Sequence, residues 1–174
     1  MVKRSIGATW VLTIILAVSV NANELPSTHF SASVVRAVEL VDWVNQEIHL
    51  PDLVPGREVV SEPIHLEVRS NSSWVIYLGT ENGESTFSEY DVDAGGYTYA
   101  GEKLSNPVLV SVNGGNWFEL NGEMEPILPI MPKTGPEGEH ISIRIKVNPS
   151  WEDKILTPGR VYRLGLVYSI GPSL

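Results

Sequence analysis

The clearest pattern along the chain is an alternation of period two. In "HISIRIKV", residues 140–147, Ile141, Ile143, Ile145 and Val147 fall on one side, with Ser142, Arg144 and Lys146 on the other. That is the spacing of a strand with one face in a core and one in water. "IHLEVRS" repeats it, with Ile64, Leu66 and Val68 inward and His65, Glu67 and Arg69 outward, and "VYRLGLVYSI" sets Tyr162, Leu164, Leu166, Tyr168 and Ile170 together. Turn residues punctuate these runs. "NPVLVSVNGGNWFELNG" predicts a hairpin with Val108, Val110 and Val112 before Asn113–Asn116, because Asn-Gly and Gly-Asn supply the positive φ angles of tight reversals. Strands are predicted over 34–44, 46–50, 62–69, 74–79, 96–100, 107–112, 117–120, 140–147 and 161–170.

One window is two-sided. "SASVVRAVELVDWVNQEIHL" places Val34, Val38, Val41 and Ile48 near helical spacing with Ser33 as a cap, yet its β-branched content favours a strand, which is the expectation here. About eight short strands with no helices alternating between them predict an all-β fold, an antiparallel immunoglobulin-like β-sandwich with a β-barrel as its rival.

The stretch "EPIHLEVRSNSSWVIYLG" sets two apolar runs around Ser70–Ser73. It predicts a hairpin in one sheet, with Trp74, Ile76 and Leu78 sharing the core face of Ile64, Leu66 and Val68, and Val75 and Tyr77 facing outward or lying under a loop. Trp74 is then a structural plug rather than a recognition residue.

The start, "MVKRSIGATWVLTIILAVSVNA", has a basic end at Lys3 and Arg4, an apolar stretch, and small residues at Val20 and Ala22. This is the form of a Sec-type secretory signal over 1–22, cleaved after Ala22, leaving 23–174 as a single domain with no membrane span. The expected location is secreted, cell-surface or periplasmic. There is no cysteine, which a domain of this length tolerates because it buries enough apolar surface without staples. The formal charge is −9, and loss of the leader makes it more acidic, which argues against nucleic-acid and anionic-membrane partners.

Candidate chemistry is sparse. His29, His49, His65 and His140 are isolated from one another, and no nucleophile elbow or phosphate-binding frame is present. Acidic residues cluster as Glu81 and Glu84, as Glu89, Asp91 and Asp93, and as Glu123 and Glu125, all in polar, glycine-containing stretches that read as solvated loops rather than a glycosidase pair. Asp91 and Asp93 beside Asn82 and Glu84 offer hard oxygen ligands for Ca²⁺, at no EF-hand spacing. Asn71-Ser72-Ser73 is a formal N-glycosylation acceptor. No catalytic, cofactor or metal residue is assigned on this basis.

The order of leader, "VPGREV", "SNSSWVIYLG", "NGGNWFEL" and a final "TPGRVYRLGLVYSI" resembles secreted prokaryotic fimbrial or pilin-like β-sandwich domains, with Pro158-Gly159 leading a last strand that bears Tyr162. The ending "YRLGLVYSIGP" is similar to the last strand of WxL-type surface domains, without the Trp-x-Leu signature. The resemblance implies a non-enzymatic structural or adhesion module, with protein partners or self-association at the cell surface, either as a complete sandwich or by donation of residues 23–44 as a strand to a neighbour. The alternative is a carbohydrate-binding module or small secreted glycan hydrolase. In the sugar-binding version Tyr97, Tyr99 and Trp117 form one stacking platform.

Overall fold

The strongest alternation in the chain becomes its central strand. The computed structural model describes residues 31–41 and 48–173, and among these all regular structure is β. Strand β10 (Glu139–Val147) pairs with β3 (Ile64–Ser70) on one side and β7 (Leu109–Val112) on the other. It therefore has neighbours at both edges, and burial of one face follows from its run of four branched apolar side chains. Strands β1 (Val38–Leu40) and β8 (Phe118–Glu119) complete the ends of this sheet.

A short strand, β2 (Val59–Val60), continues the β3 edge along β10. Between them Ser61 still pairs with Ile145, its N–H donating at 2.9 Å and its hydroxyl accepting the Ile145 N–H at 3.1 Å. The chain then spends one extra residue before Ile64 pairs with Ile143. Pro63 has no N–H to offer a ladder, so the bulge falls where the sequence cannot pair.

The second sheet runs β12 (Leu166–Pro172), β4 (Trp74–Thr80), β9 (Glu125–Pro126), and the third runs β11 (Arg160–Arg163), β5 (Ser88–Asp91), β6 (Gly96–Tyr97). All pairings are antiparallel and no sheet closes on itself, so the barrel does not form and the architecture is a sandwich. Its core sets Val68, Val110 and Ile143 of the large sheet with Trp74, Ile76 and Leu78 of the second.

Several expectations change. Among the described residues twelve strands form rather than about eight: β2, β5 and β9 lie outside every predicted range, and the last predicted strand divides into β11 and β12. The runs around Ser70–Ser73 are not a hairpin: β3 and β4 belong to different sheets. Ser70 exchanges bonds with Thr134, and Trp74 with Met131, so the groups a hairpin needs are taken by a third segment. The two apolar sets still share one core, from opposite layers. Val75 is buried as well, so β4 is covered on both faces rather than outward at that position.

Residues 48–50 are not a strand, and 46–47 lie outside the described residues. The window over 34–44 is a strand at 38–40 alone, with 42–44 outside the described residues. The strand expected over 96–100 ends at Tyr97, since Ala100 turns the chain at φ 53°. The last predicted strand breaks at Leu164-Gly165 and serves two sheets. The leader over 1–22 lies outside the described residues. The hairpin over 107–120 forms as expected: Asn113 and Gly114 have φ of 51° and 70°, and Gly115 N–H closes on the Val112 carbonyl at 2.9 Å.

Candidate functional site

The break at Leu164-Gly165 carries the chain from the third sheet to the second, and beside it the layers part to leave an open groove of about 1470 Å³. Apolar side chains line it, among them Ile64, Leu66, Phe87, Leu104, Ile145 and Leu164.

One wall is the loop over 149–156, and its shape has a single organiser. Asp153 accepts the Ser105 N–H, the Ser105 hydroxyl and the Ser150 N–H, each at 2.7 Å. Gly56 N–H reaches the Pro149 carbonyl at 2.9 Å and the Tyr162 hydroxyl donates to the Lys154 carbonyl at 2.9 Å. So fixed, the loop holds Trp151 and Ile155 at the lip, 84% and 99% exposed, with Val92 and Val161 also exposed beside them. Exposed large apolar residues gathered around a groove are the usual mark of a contact surface.

The cations of the site are paired, with one exception, while among the described residues Asp52, Glu81 and Asp153 line it without an ion pair. Arg160 bridges Glu89 at 2.7 Å and Asp91 at 3.1 Å. Arg163 sits 4.5 Å over the ring of Tyr90, which meets Tyr97 edge-on at 5.3 Å. The Tyr97 hydroxyl accepts the Gly165 N–H at 2.8 Å, pinning the crossing, and burial raises its pKa.

Two carboxyls of the site titrate below their ordinary range. The Glu102 N–H, 2.9 Å from Glu89, is the main cause there, with Arg160 adding to it against a smaller effect of burial. For Asp153 burial acts upward, but the Ser105 hydroxyl and the Ser150 and Ser105 N–H groups together outweigh it. Groups with depressed folded values stabilise the fold fully above about pH 4 and lose that contribution as pH falls through the folded values. Chemical unfolding midpoints are therefore expected to hold from neutral pH to about pH 5 and to fall below about pH 4. Asp153→Asn is expected to lower the neutral midpoint and shrink the acid-dependent part; an unchanged pH profile in that variant would remove Asp153 from the account.

The residues singled out in the sequence do not converge. Glu84 pairs with Lys103 at 2.6 Å and accepts nothing from the Asp91 group, Asp91 is held by Arg160 and by the Ala94 N–H, and Asn82 binds Ser88. The calcium set is thus dispersed into separate bonds. Glu123 in the loop and Glu125 at the start of β9 stay exposed, and Asn121 binds both. His49 and His65 line the groove with Asp52 and Asp153, His140 is exposed on β10, and His29 lies outside the described residues. Among the described residues no three His, Asp or Glu gather to hold a metal.

The sugar platform does not assemble either. Tyr97 is half-buried in the third sheet, Tyr99 is fully exposed on the following turn, and Trp117 lies on the large sheet, 4.9 Å from the Lys146 ammonium. Asn71 is exposed, but its amide is engaged, accepting the Ala37 N–H at 2.8 Å and donating to the Val35 carbonyl at 2.9 Å.

No family model, curated protein or solved structure matches this chain. Among the described residues no helix is long and apolar enough to cross a membrane. The groove was not read from the sequence, although "NPSWEDKILTPG" carried a signal: Trp151 and Ile155 are large apolar residues in a segment with no strand period.

Proposed function

We propose that this chain is a non-enzymatic structural or adhesion module of the cell surface, of fimbrial-subunit type, that engages protein partners or further copies of itself through the groove. The observation that carries this reading is the exposed apolar lip, Trp151 and Ile155, around an open apolar groove. Water-facing side chains of that size cost solubility unless a partner covers them. Strand β11 supports the same reading, since it lines the groove and among the described residues pairs with β5 alone. An edge strand leaves every second N–H and C=O free for an added strand. The leader-like start supports an extracytoplasmic location.

Size-exclusion with light scattering over a range of concentrations, with negative-stain microscopy, tests the self-associating form. Concentration-dependent oligomers or fibres are expected, weakened by Trp151→Ser and Ile155→Ser together. A chain that stays monomeric throughout overturns self-association. The carbohydrate-binding alternative keeps one supporting observation, the full exposure of Tyr99; a glycan array with no Tyr99-dependent signal overturns it.

A further inference from the structure

We propose that the occupant of the groove is an extended apolar segment of a partner polypeptide bearing one acidic side chain, whose carboxylate pairs with Arg163. This rests on the groove reading above and adds to it the chemistry of the partner.

The volume points to a polymer. Drug-sized ligands occupy pockets of about 300–1000 Å³, and this groove, at about 1470 Å³, is larger and open. Main-chain chemistry points to polypeptide rather than lipid, because β11 pairs with β5 alone among the described residues, and its edge beyond the Arg160 N–H, which donates to the Thr157 carbonyl at 3.1 Å, is open to another backbone.

Arg163 supplies the charge selectivity. Among the described residues, Arg36, Arg57, Lys133 and Arg144 are the other cations that make no ion pair, and all four are exposed. Arg163 is half-buried, lines the groove, and has only the face of Tyr90 beneath it. The chain carries 21 acidic against 12 basic residues, so an unpaired, half-buried guanidinium is not explained by a shortage of carboxylates. A guanidinium partly removed from water binds a carboxylate more strongly than an exposed one, and stacking on tyrosine holds its plane in place. The planar fork suits an incoming Glu or Asp, and the neighbouring Arg160 does not compete because Glu89 and Asp91 occupy it.

Fluorescence anisotropy with labelled heptapeptides of alternating Val and Thr, differing only in a central Glu, Gln or Lys, tests this on the exported chain. The Glu peptide is expected to bind about tenfold or more tightly than the Lys peptide, with the gap narrowing in salt. Arg163→Glu is expected to reverse the order, and Arg163→Gln to abolish it while all three still bind. Arg144→Gln, which removes an exposed unpaired cation, is expected to leave the order unchanged. Equal affinities in the wild type overturn the role of Arg163 and leave the groove reading standing. If no peptide binds, the groove reading itself fails, and dodecanoate binding in that case assigns the groove to a lipid chain and overturns the proposal.

Discussion

Trp74→Ala is expected to lower stability by about 3–5 kcal/mol, the cost of removing a fully buried aromatic side chain and leaving its volume empty. Trp74 is completely buried at the centre of the core, between Val68, Ile143 and their neighbours on one layer and the strand that carries it on the other. For a domain of this size such a loss lowers Tm by roughly 6–20 °C. Trp74→Phe is expected to cost far less than the Ala change, for a reason specific to this site. The indole Nε1 is buried with no hydrogen-bond partner, and an unmatched donor costs about 1–3 kcal/mol. Phenylalanine removes that cost while keeping most of the packing. Differential scanning calorimetry of the two variants checks both statements. Equal losses in Phe and Ala would show that the indole N–H matters more than the ring volume.

Gly122→Ala is the second large effect, expected at about 3–5 kcal/mol from strain and overlap together. Gly122 has φ of 89°, and a Cβ there would run into the Gly83 carbonyl oxygen and lie 2.7 Å from its carbon and 3.0 Å from the Glu84 carbon. Both obstacles are backbone, so neither yields by a rotamer change. The Gly122 carbonyl also accepts the Thr80 N–H at 2.9 Å and the Thr80 hydroxyl at 3.3 Å, so moving the turn loosens the end of β4. Gly114→Ala is the matched control. Its φ is 70°, but nothing lies within 4 Å of the added carbon, so only backbone strain of about 1–2 kcal/mol is expected. Urea unfolding of both variants separates crowding from conformation, and similar losses would refute the crowding account.

The core strands were legible in the sequence because their burial is local in origin. Ile141, Ile143, Ile145 and Val147 alternate strictly and all are buried; Tyr162, Leu164, Leu166, Tyr168 and Ile170 keep one inward phase even though the strand breaks between them. The turn at Asn113-Gly114 was legible for the same reason, since its φ angles are set by the two residues themselves. Two of the shortest pairings were not. Strands such as β2 and β9 have no pattern of their own, and exist because a long neighbour presents free main-chain groups to them.

The candidate site was legible only in fragments. The acidic clusters were visible, but not that Arg160 joins Glu89 to Asp91 across 71 residues of chain, or that Asp153 ties Ser105 to its own loop. Arg163 carries no motif in "PGRVYRLG". Its interest comes from being half-buried without a carboxylate, which depends on where the third sheet ends.

By itself, then, the sequence determined an acidic, cysteine-free, all-β chain with a leader-like start and a core drawn from alternating branched residues, because side-chain period and turn chemistry act over a few residues. Only the tertiary structure decided which layer each strand joins, that Ser70–Trp74 crosses between sheets instead of folding back, and that a groove opens beside Arg163. Those outcomes depend on which distant segment claims each strand edge and on how completely two layers cover one another, and neither quantity is encoded in any local stretch of residues.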